Sequence, residues 1–143
     1  MQTIYGEGWN IGERYEALKF MCPGNSGPCI QALDKITNEL VRVQKLHKIE
    51  NLLDAQRVLR GLRILRIFQH ENIIELRNVI FSRDPKDAGE IYLITNLMEM
   101  DLYVVLRCHQ LLTDLHIQFI IYQIVRALLY LHSANVVHSR LRP

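Results

Sequence analysis

The stretch CPGNSGPC, residues 22–29, sets two glycines, Gly24 and Gly27, between two apolar runs. Glycine lets backbone N–H groups approach an anion closely, so such a tip between two strands suits a flap over a phosphate. A plain hairpin tip reads the same way in isolation. The next apolar run, LVRVQKL from Leu40 to Leu46, carries three long polar side chains, Arg42, Gln44 and Lys45. Strand alternation puts Val41, Val43 and Lys45 on one face and Leu40, Arg42, Gln44 and Leu46 on the other. Cys22 and Cys29 have no matching downstream pair, which argues against a zinc site. The chain has three cysteines. An odd, widely spaced set argues against a disulfide framework and fits a reducing compartment.

The elements that must position these residues follow from period and breakers. Residues 1–13 are expected to be an irregular lead-in, and Tyr15 to Met21 a strand. Ile30 to Leu33 resumes as a strand, DKITNE turns, and Leu40 to Leu46 is a third strand. From about Asn51 to Gln69 the period becomes helical, with Ala55, Val58, Leu59, Leu62 and Leu65 in one apolar stripe. Arg57, Arg60 and Arg63 lie mostly away from it, as a solvated basic face or a dock for an acidic partner. Gly61 interrupts this helix at a cost of roughly 1 kcal/mol against Ala. IIELRNVIF is strand-like, SRDPKDAGE a surface loop, and IYLITNLM a further strand. Asp101 to Arg107 suggests a short helix. Thr113 or Asp114 can cap a long one reaching about Ser133.

Composition narrows the class. With 143 residues, 49% of them hydrophobic, the chain suits one domain with a core, and seven Gly with four Pro exclude collagen-like repeats. Seventeen basic residues against fifteen acidic ones leave a net charge of +2. That balance gives no electrostatic case for nucleic acid or for a membrane surface. The most apolar stretch, Leu111 to Leu131, is broken by Asp114, His116, Gln118, Gln123 and Arg126, so it reads as a core helix rather than a bilayer span. The first residues, MQTIYGEGWN, lack the basic and apolar regions of a secretory signal.

The order of segments is specific. HENII (70–74) follows the helix, IYLITNLMEMDLY (91–103) follows the polar loop, and LTDLHIQFIIYQIVRALLYLHSANVVH (112–138) leads into the final residues HSRLRP. This series resembles a eukaryotic protein kinase, specifically the mitogen-activated protein kinase family. The resemblance runs from about Arg14 to Pro143. It implies an α+β fold: a kinase-like N-lobe (14–94) with an antiparallel sheet and one αC-type helix, a hinge (95–101), and the first helices of an incomplete C-lobe (102–143) ending in the catalytic loop.

Protein kinases pair a strand Lys with nucleotide phosphates and hold it with a helix Glu. A loop Asp accepts the substrate hydroxyl proton, and an Asn and a second Asp hold magnesium. By resemblance, the strand Lys is Gln44, the helix Glu is Gly61 and the loop Asp is Arg140. A guanidinium stays protonated and cannot accept a proton. The flap keeps Gly24 and Gly27 of three glycines, while Pro23 and Pro28 carry no N–H. Arg42 stands where the family has a small residue against adenine; it crowds that site or supplies a displaced positive charge. The resemblance places Met21, Gly24, Gly27 and Cys29 around a nucleotide from the flap. Thr95 takes the gatekeeper position, Asn96 to Met98 the adenine-contacting hinge, and Asp101 the ribose-contacting acid. Asp101 reads equally as a helix cap.

The chain ends before the positions of the metal-binding Asn and Asp. The resemblance therefore implies weak ATP binding, no magnesium ligands and no intact catalytic residue. The expected function is that of a truncated, catalytically inactive kinase-like chain with a binding or competing role. The alternative is an ATP-binding Ser/Thr kinase of a signalling cascade, seen in part. A degraded gene copy reads the same way. Expected partners are kinase-cascade proteins or chaperones, with self-association through the apolar 112–133 helix. The expected location is the cytoplasm, the nucleus or both.

Overall fold

A computed structural model of the chain describes residues 2–23, 27–46, 49, 51–82, 89–108, 111–139 and 141. They form two compact units, Met1–Arg66 with Glu75–Leu97 and Ile67–Ile74 with Met98–Pro143.

The first unit is built on a five-stranded antiparallel sheet. Its strands are β3 (Tyr15–Cys22), β4 (Cys29–Asp34), β5 (Glu39–Lys45), β6 (Leu76–Phe81) and β7 (Ile91–Asn96), in the order β3-β4-β5-β7-β6. Helix α1 (Leu52–Ile67) separates β5 from β6 in sequence. Every strand expected from the apolar runs is present, within a few residues at each end.

The sheet has one densely covered face. Ile30 and Ala32 of β4, Val41 and Val43 of β5, and Tyr92 and Ile94 of β7 are all fully buried there, with Tyr15. Their cover corrects one expectation. Residues 1–13 are not an irregular lead-in: β1 (Gln2–Ile4) and β2 (Glu7–Trp9) form a hairpin, and Trp9 and Ile11 are buried in the core. Trp9 lies 6.0 Å from the Tyr92 ring, centroid to centroid. The Gln2 amide donates to Tyr15 O at 2.7 Å and accepts from Ala17 N at 2.6 Å, so it acts as one more rung on β3. Three-residue strands rich in Gly and Glu carry no readable period, and burial against the sheet is what forms them.

A second correction concerns sulfur. Cys22 and Cys29 face each other as partners in the β3–β4 register and are joined in a disulfide, with Cα atoms 5.4 Å apart. Only Cys108 is a free cysteine among the described residues. The parity argument against disulfides failed because the hairpin register, not the count, brings the two residues together.

In the second unit, α2 (Leu102–Arg107) and α3 (Asp114–Ser133) carry most of the ordered backbone. Thr113 caps α3 with a reciprocal pair of bonds to His116, as expected from its position. Phe68 packs edge-on against Tyr130 and His70 stacks on it. Asn72 donates to Gln123 at 3.1 Å, and Glu71 pairs with Arg126. Within this unit α3 buries only Leu131, and Phe119, Ile121, Val125 and Leu129 are more than half exposed. Among the described residues no helix is long and apolar enough to cross a membrane.

One buried charge bears on the first unit's acid stability. Asp34, 1% exposed, receives two bonds from the Arg14 guanidinium, at 2.9 and 2.6 Å, and one from Ile36 N at 3.0 Å. The hydrogen bonds from Arg14 lead in pulling its carboxyl from 3.8 down to about 2, against the opposing effect of burial. A depressed folded-state pKa contributes stability above the unfolded value that is lost as pH falls through the folded one. The Asp34 share is thus complete above about pH 4 and fades towards pH 2. Asp34→Asn should be less stable than the parent at pH 7, and the gap should narrow as pH drops from 4 to 2. Urea midpoints of both proteins across that range measure it.

Candidate functional site

The residues singled out on β5 separate by strand parity. Lys45 lies on the Val41–Val43 face. It forms an ion pair with Glu90 at 2.5 Å and donates to Gly8 O at 3.4 Å. Glu90 also accepts from the Tyr92 hydroxyl at 2.5 Å, which in turn accepts from Asn10 N at 3.2 Å. Lys45 is therefore part of the polar cap that seats the β1–β2 hairpin, and its ammonium lies on the opposite face from Gln44.

The other face carries Arg42 and Gln44. In the register, Gln31, Arg42 and Thr95 form one row across β4, β5 and β7, and Cys29, Gln44 and Leu93 form the next. Side chains directly opposite in a ladder share a face. The Arg42 guanidinium donates to Gln44 Oε1 at 3.1 Å. Burial alone pushes that guanidinium below its ordinary value, and it remains charged. The space beside Gln44 is thus held by a neighbouring cation, which neutral Gln44 tolerates and a lysine there would repel. Thr95 is 5% exposed and its Oγ1 is buried with no hydrogen-bond partner among the described residues.

The other expected nucleotide contacts lie on several separate elements. Met21 is half-buried near the end of β3. Gly27 is buried with a φ of 121°, a conformation that only glycine adopts readily. Gly24 and Arg140 lie outside the described residues. The Cys29 sulfur is committed to the disulfide with Cys22. The Asn96 side chain accepts from Glu75 N at 3.1 Å and so fastens the approach to β6. In the second unit, Met98 is 47% exposed, and Asp101 caps α2 by accepting from Val104 N at 2.8 Å. Asp101 is thus the N-cap of α2.

Gly61 sits in the middle of α1, where an added Cβ meets nothing within 4 Å. The helix runs Leu52–Ile67 and has no fully buried residue. Arg57, Arg60 and Arg63 are exposed, with Arg57 bonded to Asp54 at 3.1 Å. Among the described residues no three His, Cys, Asp or Glu side chains converge where a metal ion could be held. At the site the sequence reading missed the disulfide and the Arg42–Gln44 bond, both of which depend on the strand register.

Comparison with known proteins agrees with this geometry. Residues 15–143 match the Protein kinase domain. The chain is 38% identical over 143 residues to mitogen-activated protein kinase mpk-1 of Caenorhabditis elegans, an alignment covering 100% of this chain and 32% of that protein. It is 35% identical over 141 residues to extracellular signal-regulated kinase 1 of Dictyostelium discoideum, covering 98% and 27%. With mitogen-activated protein kinase 10 of Oryza sativa subsp. japonica it shares 37% over 142 residues, covering 99% and 23%. The chain belongs to the protein kinase family, in its mitogen-activated branch. It spans a third or less of the length of these relatives.

The open surroundings of Gly61 give a direct test of the α1 geometry. Gly61→Ala should raise stability by about 1 kcal/mol, because the methyl group meets no clash and the helix loses a flexible residue. A urea midpoint checks this; a fall would mean that the space beside the helix is filled.

Proposed function

We propose that this chain is a catalytically inactive relative of the mitogen-activated protein kinases whose role is to bind or compete rather than to transfer phosphate. The observation that carries the reading is the Arg42–Gln44 hydrogen bond at 3.1 Å, with Lys45 paired to Glu90 on the opposite face. The sheet offers no lysine where the resemblance asks for one, and the nearest lysine has a structural task. Gly61 removes the matching carboxylate. The two losses are consistent with each other, since neither leaves a buried, unpaired charge. Arg140 in place of the proton-accepting Asp adds a third.

A second reading, phosphoryl transfer by a longer protein of which this is a part, draws on the relatives, which are named as kinases and of which this chain matches a third or less. Both readings place the protein in the cytoplasm or the nucleus. They differ on ATP: the first allows only weak nucleotide binding. The apolar residues that α3 exposes support self-association, or engagement of kinase-cascade proteins and chaperones.

Two measurements test the proposal. A radiolabelled phosphate assay with ATP, magnesium and a generic protein acceptor should give no transfer above a blank. The triple variant Gln44→Lys, Gly61→Glu, Arg140→Asp should also give none, since loss of several groups that act together is not repaired piecemeal. Transfer by the unaltered chain would overturn the inactive reading. Light scattering on the purified chain should show a mass that falls on dilution; a monomer at every concentration would remove the self-association.

A further inference from the structure

The Cys22–Cys29 bond sits at the margin of the sheet. Neither cysteine belongs to the core cluster built on Trp9, Tyr15 and Tyr92. The bond joins residues seven positions apart, and so short a loop gains less from a cross-link than a long one. The core closes without it. Its two ends are held unequally. Cys29 is fully buried and pairs across the ladder with Gln44 of β5, and Pro28 O beside it accepts from Lys45 N at 2.9 Å. Cys22 is half-buried, ends the edge strand β3 and lies past a register shift that follows Phe20. The β3–β4 ladder from Tyr15–Asp34 to Phe20–Ile30 is made of backbone bonds and does not need the sulfurs. It brings the two Cα atoms to 5.4 Å, within the ordinary span of a disulfide.

We propose that Cys22 and Cys29 form a reversible thiol–disulfide site, at which the half-buried Cys22 sulfur exchanges with a dithiol reductant while the chain stays folded. The thiolate of the reductant attacks Cys22 Sγ, because Cys29 is enclosed. A bond forms between the reductant and Cys22, the Cys22–Cys29 bond breaks, and Cys29 leaves as a thiolate that takes up a proton. The second thiol of the reductant then displaces Cys22 and closes the reductant's own disulfide. Two electrons and two protons pass from the reductant to the cysteines, and a disulfide oxidant reverses the sequence. Reclosure is favoured because the register keeps the two thiols opposite each other. A reducing compartment holds the pair as thiols and an oxidising one as the bond. Reduction loosens the end of β3, whose only neighbour in the sheet is β4, and leaves the start of β4 fastened to β5. The site needs neither nucleotide nor partner protein, so it goes beyond the role proposed above.

The full chain carrying Cys108→Ser, which removes the one other thiol, tests the site. Iodoacetamide followed by intact mass should label no cysteine before treatment, two after excess dithiothreitol without urea, and none again after oxidised dithiothreitol. Circular dichroism should be the same in both forms, and the thermal midpoint of the reduced form should lie roughly 5–10 °C lower. Hydrogen exchange of the segment ending β3 should quicken about tenfold on reduction, with β5 unchanged. Glutathione disulfide should add one glutathione to Cys22 in Cys29→Ser about tenfold faster than to Cys29 in Cys22→Ser. A bond that opens only in urea, a reduced chain that loses its circular dichroism, or two cysteines that label whatever the oxidant would overturn the proposal. Equal rates at the two cysteines would overturn the assignment of Cys22 as the exchanging sulfur.

Discussion

A strand in the interior of a sheet has no freedom to rotate. Its two neighbours hold its backbone, and a shift of one residue would exchange every buried side chain for an exposed one. β5 is held in this way between β4 and β7. Val41 and Val43 are fully buried on one face, and Lys45 follows them to its ion pair with Glu90. The same parity sends Arg42 and Gln44 to the other side. A lysine one position further along the chain therefore cannot stand in for the one the family resemblance expects at Gln44. Bringing it across would expose two valines and break the cap on the β1–β2 hairpin. The register of a single strand separates what the first unit buries for stability from what it turns to the other face.

The charges follow the same division. On the core side two ion pairs hold the buried and half-buried charges: Asp34 with Arg14, Lys45 with Glu90. Asp34 goes further, because its carboxylate also accepts from Ile36 N and so shapes the turn into β5. On the other side Arg42 meets an amide rather than an acid. Burial of an unpaired charge is costly, and a half-buried guanidinium is tolerated because its weak hydration and its bond to Gln44 soften the penalty.

Much of this was legible in the sequence. Alternation in LVRVQKL told which face Lys45 would take, because parity is a local property and needs no knowledge of the neighbours. The cap at Thr113 and the ends of α1 and α3 could likewise be read from residue type and period. Three features were not legible. The β1–β2 hairpin consists of strands too short to show a period, and Trp9 gains its place from Tyr92, far along the chain. The Cys22–Cys29 disulfide depends on a register that cysteine counting ignores. The Arg42–Gln44 bond joins residues on one strand, yet Thr95 comes opposite Arg42 only through the strand order.

Gln44 and Gly61 also bear on what holds α1. By resemblance, a charge pair would tie helix to strand. A pair of that kind fixes distance and orientation, because each charge is costly once it is separated from the other. Here the polar contact of Gln44 runs along β5, to Arg42, and not toward the helix. Gly61 contributes no side chain, and α1 has no fully buried residue. Its cohesion comes from local terms instead: Asn51 accepts from Asp54 N at 2.9 Å, and Asp54 bonds Arg57. An N-terminal Asn of this kind satisfies a free N–H, and an acidic residue in the first turn suits the helix dipole. Such interactions hold a helix as a helix but do not place it against anything. Where a charge pair of that kind is lacking, a constraint on position goes while secondary structure stays intact.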